Sequence, residues 1–156
     1  MKNINLIIAT IFLAFLAGLL LLPITGNAFF GPWASKFQTV QAENGIIRIP
    51  IKSFDNGKAH YFTFKAQGKD IKFFVLKSRD GIIRAAFDAC DVCFPEKKGY
   101  SQSGDFMICQ NCGQKFHSVQ INVIKGGCNP APLRRTEKGQ DLIISAQDIF
   151  SGYRYF

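Results

Sequence analysis

Residues 89–118, "ACDVCFPEKKGYSQSGDFMICQNCGQKFHS", hold four of the chain's five cysteines as two Cys-x-x-Cys pairs, with fifteen residues between Cys93 and Cys109. Each pair places two sulfurs on one tight backbone bend, close enough to chelate one metal. Two such bends from adjacent loops complete a tetrahedron of thiolates. Any fold of this chain must therefore bring two loops together. Cys90, Cys93, Cys109 and Cys112 are the candidate ligands, and their spacing points to a metal site without choosing the metal. Gly113, directly after Cys112, can bend the backbone so that amide N–H groups face the sulfurs.

On spacing alone, zinc in a closed structural site and iron are equal candidates. Disulfide bonding explains the pattern less well: five cysteines cannot all pair within one chain, and two bridges across Cys-x-x-Cys turns would brace little. Thiol redox chemistry of the thioredoxin kind needs an exposed pair opening a helix in a βαβ context, which this strand-rich chain does not offer. The fifth thiol, Cys128, lies in Gly126-Gly127-Cys128-Asn129-Pro130. Three readings stay open for it. It belongs to a third loop over the site as an alternative ligand or a cover, it pairs between molecules, or it is a buried or unpaired thiol.

The remaining polar side chains near the cysteines have ordinary readings. His117 follows Phe116, so on a strand the two point to opposite faces, and His117 reads as a strand residue rather than a ligand; His60 has less claim still. Asp88 and Asp91 read as residues that bond loop amides, and with Glu96 they form no carboxylate pair suited to acid–base catalysis. Tyr100, in the spacer between the pairs, can tune a cluster through its hydroxyl.

Ahead of all this, Ile4 to Leu22 carries no charge and only two polar side chains, Asn5 and Thr10, which is enough apolar length to span a bilayer. Lys2 and the amino terminus precede it, so the rest of the chain is expected on the far, extracytoplasmic side. Gly26-Asn27-Ala28 would serve as a signal cleavage site, whereas Phe29, Phe30 and Trp33 suit an interfacial anchor, and the length of the run favours the anchor. The expected organisation is an anchor or signal segment at 1–28, a linker at 29–44 and one domain at 45–156. The formal charge is +8, of which residues 1–28 contribute only Lys2. A basic domain suits anionic headgroups or an acidic partner. With no helical basic stripe and no run of stacking aromatics, nucleic acid is not an expected partner.

Within the domain the pattern is one of short strands. Strands are expected over 45–51, with Pro50 marking a sheet edge, over 60–65, over 71–76 in a central position because it is apolar on both faces, and over 82–87 after the Ser78-Arg79-Asp80-Gly81 turn. Further strands are expected at 106–108, 115–118 and 140–145, followed by a short helical turn at 146–150. Sixteen Phe suit a β-rich core.

The order of these pieces is similar to that of Rieske iron–sulfur domains, whose second cluster box reads Cys-x-x-His-Gly-x-x-Phe. Here that box is Cys109-Gln110-Asn111-Cys112-Gly113-Gln114-Lys115-Phe116, with Cys in place of His, and the first box is Cys90-Asp91-Val92-Cys93 in place of Cys-x-His. "AAFDACDVCFPEKKGY", "CQNCGQKF" and "GGCNPAPL", in that order behind an apolar N-terminal segment, resemble the FtrD-like membrane iron-sulfur protein family, associated with bacterial iron uptake. The resemblance implies an iron–sulfur cluster on Cys90, Cys93, Cys109 and Cys112, with Cys128 as a candidate further ligand. It also implies a single-pass membrane protein engaged in electron transfer or iron handling, and an iron permease complex or membrane redox partner. All-Cys plant-type clusters lie near about −400 mV and His-ligated Rieske centres at about −150 to +300 mV, so replacing imidazoles by thiolates lowers the expected potential.

The expected fold is all-β: a small antiparallel Rieske-like or rubredoxin-like domain with metal-binding loops, preceded by one N-terminal transmembrane helix. Chemistry on an organic substrate is not expected, since there is no nucleophile–base constellation and no phosphate-cradling glycine loop. The competing reading is a binding module with a structural zinc-ribbon-type site that docks on a membrane transporter.

Overall fold

The computed structural model describes residues 35–156. The expected membrane segment and the aromatic residues behind it lie outside the described residues. Among the described residues, no helix is long and apolar enough to cross a membrane.

Among the described residues, ten strands and one short α-helix follow in order: β1 (Phe37–Val40), β2 (Ile46–Pro50), β3 (His60–Ala66), β4 (Lys69–Lys77), β5 (Ile83–Phe87), β6 (Tyr100–Ser103), β7 (Phe106–Cys109), β8 (Lys115–His117), β9 (Thr136–Lys138), β10 (Asp141–Ser145) and α1 (Ala146–Phe150). They form three sheets, in the orders β1-β3-β4-β5, β2-β10-β9 and β6-β7-β8. Strand alternation explains how the sheets share two apolar clusters. On β4, Ile71, Phe73 and Val75 pack with Ile47 and Ile49 of β2 and Leu142 and Ile144 of β10. Phe74 and Leu76, pointing the other way, pack with Tyr100 of β6 and with Met107 and Cys109 of β7. The four-stranded sheet thus lies between two cores, which is why 71–76 is apolar on both faces. Pro50, with no N–H to give a ladder, ends an edge strand.

Three features depart from expectation. The stretch 37–40 lies within the expected linker yet forms β1, and β1 runs parallel to β3, with Phe37 opposite Tyr61, in a domain expected to be antiparallel. Between them, β2 crosses to another sheet, so the chain re-enters running in the same direction. Phe-Gln-Thr-Val has no strong alternation. It is held by its partners: Lys36 Nζ stands 3.8 Å from the Tyr61 ring centre, and the Phe37 and Tyr61 rings meet edge-on at 5.6 Å. The spacer contains a strand, β6, whose Tyr-Ser-Gln-Ser sequence lacks an apolar pattern and is recruited by β7. Exposed β9 is likewise recruited by β10.

Candidate metal centre

The first cysteine pair lies where β5 ends. Cys90 is buried at the floor of the second apolar cluster, and its Sγ accepts the N–H of Cys93 at 3.1 Å, the bond expected of a Cys-x-x-Cys bend shaped for a thiolate. The second pair leaves β7: Cys109 pairs in register with Tyr100, and Gly113, at φ +75°, lets its N–H return to the Cys109 carbonyl at 2.9 Å. An L side chain rarely adopts that backbone angle, which accounts for glycine after the second pair.

The two bends meet. Cys93, Cys109 and Cys112 have sulfurs within 4.8 Å of one another, as do Cys90, Cys93 and Cys128. All four expected ligands are brought into one neighbourhood, and Cys128 joins them. The third loop is fastened from below: the Tyr100 hydroxyl donates to the Cys128 carbonyl at 2.6 Å, and the Ala131 N–H donates to the Ala89 carbonyl at 2.9 Å. Neither histidine takes part. The His117 ring lies edge-on to Phe106 at 5.0 Å and its Nδ1 accepts the Val119 N–H, while His60 packs edge-on against Phe54 at 5.3 Å.

The thiols differ in character. Burial pushes Cys109 up to about 11 and Cys128 up to about 12, whereas the Gln114 amide facing exposed Cys112 lowers that thiol. Gathering sulfurs that bear thiolate charge is unfavourable unless cations stand near or a metal binds. A cavity of about 390 Å³ bordered by Cys90, Cys93 and Cys109 is also lined by charged side chains of both signs, Lys69, Lys72 and Lys97 with Asp70 and Asp88. The donor set, all sulfur with an amide-supported bend, fits zinc or an iron–sulfur group.

Two acidic residues support the site, one in the role expected of it and one in another. Asp88, expected as a loop-amide acceptor, does take the Tyr100 N–H at 2.7 Å, but from a buried position against Gly99, where an added Cβ would meet its carboxylate. Burial raises its pKa, partly offset by Lys36, which also donates to the Tyr100 carbonyl at 2.6 Å. Asp91, between the first two cysteines, is not bonded to loop amides. It accepts from Arg154 at 2.9 Å and from the Tyr155 hydroxyl at 2.8 Å. The aromatic, basic end of the chain was the available signal for that contact, and it has no periodicity to read.

A family-level comparison matches residues 54–156 to the family described as membrane iron-sulfur containing protein, FtrD-like. This chain belongs to the FtrD-like family. The match spans both cysteine bends and the Cys128 loop, so the family's iron–sulfur description covers the part of the chain where the thiols converge. No curated protein matches the chain. Among solved structures, the chain is similar to the quaternary ammonium Rieske monooxygenase CntA in complex with an inhibitor, at 14% identity and a TM-score of 0.44. That likeness covers 67% of this chain and 32% of the oxygenase, so the chain spans about a third of that protein's length.

Proposed function

We propose that this FtrD-like protein is a membrane-anchored, extracytoplasmic iron–sulfur protein that passes single electrons, or handles iron, in bacterial iron uptake. The observation that carries the reading is the convergence of sulfurs from separate loops to within 4.8 Å in a chain of the iron–sulfur family. Cys90, Cys93, Cys109 and Cys112 would hold the group, which when bound supplies one-electron transfer. The chain's own residues set the terms. The Rieske-like order of boxes has cysteine where histidine is expected, and thiolates repel an added electron more than imidazoles do, which favours a low potential. Burial of Cys90 and Cys109 keeps water from two of the sulfurs. The basic domain suits an acidic partner face or anionic headgroups beside the permease or redox partner.

Anaerobic purification of the full chain from native membranes, with iron, acid-labile sulfide and redox titration, tests the reading. The expected material is brown, contains iron and sulfide, and titrates below the Rieske range. A colourless protein with stoichiometric zinc overturns it in favour of a zinc-stabilised docking module.

A further inference from the structure

The five sulfurs form two groups of three with one member in common. Cys90, Cys93 and Cys128 lie within 4.8 Å of one another, as do Cys93, Cys109 and Cys112. The first group joins the bend after β5 to the Cys128 loop, and the second joins that same bend to the one after β7. A tetrahedral ion takes four ligands, so a single ion would leave one thiol over. Cys128 stands with Cys90 and Cys93, away from the second bend, and thereby completes a second seat of three sulfurs.

Metal–sulfur bonds of about 2.3 Å give a tetrahedron an edge of about 3.8 Å. Cys93 Sγ and Cys128 Sγ, 3.7 Å apart, are already at that spacing for two sulfurs on one ion. The two seats also share a base. Tyr100 faces Cys109 across the β6–β7 ladder, and its hydroxyl donates to the Cys128 carbonyl at 2.6 Å, while the Cys93 N–H donates to Cys90 Sγ at 3.1 Å.

We propose that the centre holds two metal ions bridged by the Cys93 thiolate, one seated on Cys90, Cys93 and Cys128 and the other on Cys93, Cys109 and Cys112. The inference rests on the metal-centre reading above and deepens it, fixing the number of ions and making Cys128 a ligand. A thiolate bound to one ion keeps lone pairs for another, and two ions that share its sulfur stand at most about 4.6 Å apart, twice one bond. Charge favours the arrangement. Five thiolates around two divalent ions leave one negative charge, whereas four thiolates around a single ion leave two, and surplus charge is costly where sulfurs are buried. Each ion displaces the protons of the thiols it engages, so no oxidant or reductant is needed. Each also keeps one position that no cysteine fills.

The test uses the full chain in detergent, stripped by a chelator without oxygen and reloaded with cadmium-113, a soft ion suited to thiolates. Two equivalents are expected to bind and to give two cadmium resonances, each split by the other, because a two-bond coupling requires a shared sulfur. C93A is expected to lose the splitting. C90A and C128A should each hold one equivalent on the second seat, and C109A and C112A one on the first, all as a single unsplit resonance. One equivalent in the wild type, two resonances without splitting, or two equivalents retained by C128A overturns the proposal, and the wild-type readings need no variant to fold. A wild type that binds no cadmium defeats the metal-centre reading itself. Native material free of iron and sulfide defeats only the iron–sulfur reading, and the cadmium coupling still decides the bridge.

Discussion

The Tyr155 hydroxyl donates to Asp91 Oδ1 at 2.8 Å, tying the last turn of the described chain to the bend between Cys90 and Cys93. The Tyr155 ring is itself held against Phe87 and Phe94, with centroids 5.8 and 5.7 Å away, so the hydroxyl approaches Asp91 from a fixed base. Tyr155→Phe keeps the rings and removes the donor. One hydrogen bond is worth about 1 kcal/mol, or roughly a fivefold change in an equilibrium. We expect metal release to a chelator to quicken by about that factor with little change in Tm. Identical release rates would mean that the contact does not hold the first bend in place.

Gly99 faces a side chain with nowhere to go. Its φ is +67°, and an added Cβ would run into the buried Asp88 carboxylate that takes the Tyr100 N–H. Gly99→Ala should cost about 1–3 kcal/mol from the backbone angle alone, before the clash is counted. Chemical denaturation would show a lower midpoint, and the loaded protein should hold less metal, because Tyr100 also fastens the Cys128 loop.

Reactivity in the metal-free protein should follow exposure and local electrostatics. Cys112 is exposed and lowered by the Gln114 amide, whereas burial raises Cys109 to about 11. Brief treatment with iodoacetamide near neutral pH is therefore expected to label Cys112 well before Cys109, since the thiolate is the nucleophile. Mass mapping of early time points checks the order.

Metal affinity should climb with pH for the same reason. A thiol raised to about 11 is protonated at neutral pH and must release its proton to bind, so affinity gains roughly tenfold per pH unit for each such thiol engaged. Competition titrations of the metal-free chain with cobalt between pH 6.5 and 8.5 measure the slope. A flat profile would show that the sulfurs enter already ionised.

Acid stability should depend on Asp80. The Ser78 hydroxyl, then the Arg84 guanidinium, hold its carboxyl at about 2, below the ordinary 3.8. A depressed carboxylate stabilises the fold above its unfolded value, and that contribution disappears as pH falls through the folded one. Urea unfolding of wild type should therefore weaken between about pH 4 and 2, and Asp80→Asn should flatten that limb. Arg84 is buried and also donates to Ser78 Oγ and the Ile121 carbonyl, so its own truncation is expected to cost more than this exposed-side change.

Much of the strand pattern was legible because two physical signals agree. Alternation and turn chemistry placed β2 to β5, β7, β8 and β10 within a residue or two, and the paired cysteines announced that two loops must meet. What escaped was structure made by partners rather than by pattern. Phe37–Val40 becomes a strand because Tyr61 and β3 receive it, Tyr100–Ser103 because β7 does, and Asp91 finds its partner 63 residues away at Arg154. The place of Cys128 was open for the same reason: nothing in Gly-Gly-Cys-Asn-Pro says how far that sulfur lies from another loop, and the answer is 3.7 Å.

The pairing of Tyr100 with Cys109 across β6 and β7 limits how this chain can vary in length. Residues added at the bend around Gly104 leave the facing positions in step. A single residue inserted within either strand turns every following side chain over, sending the Cys109 sulfur out of the interior and away from its companions. The interval between the two cysteine bends is thus counted by the pleat of a hairpin, and homologous chains should accept insertions there only at its tip.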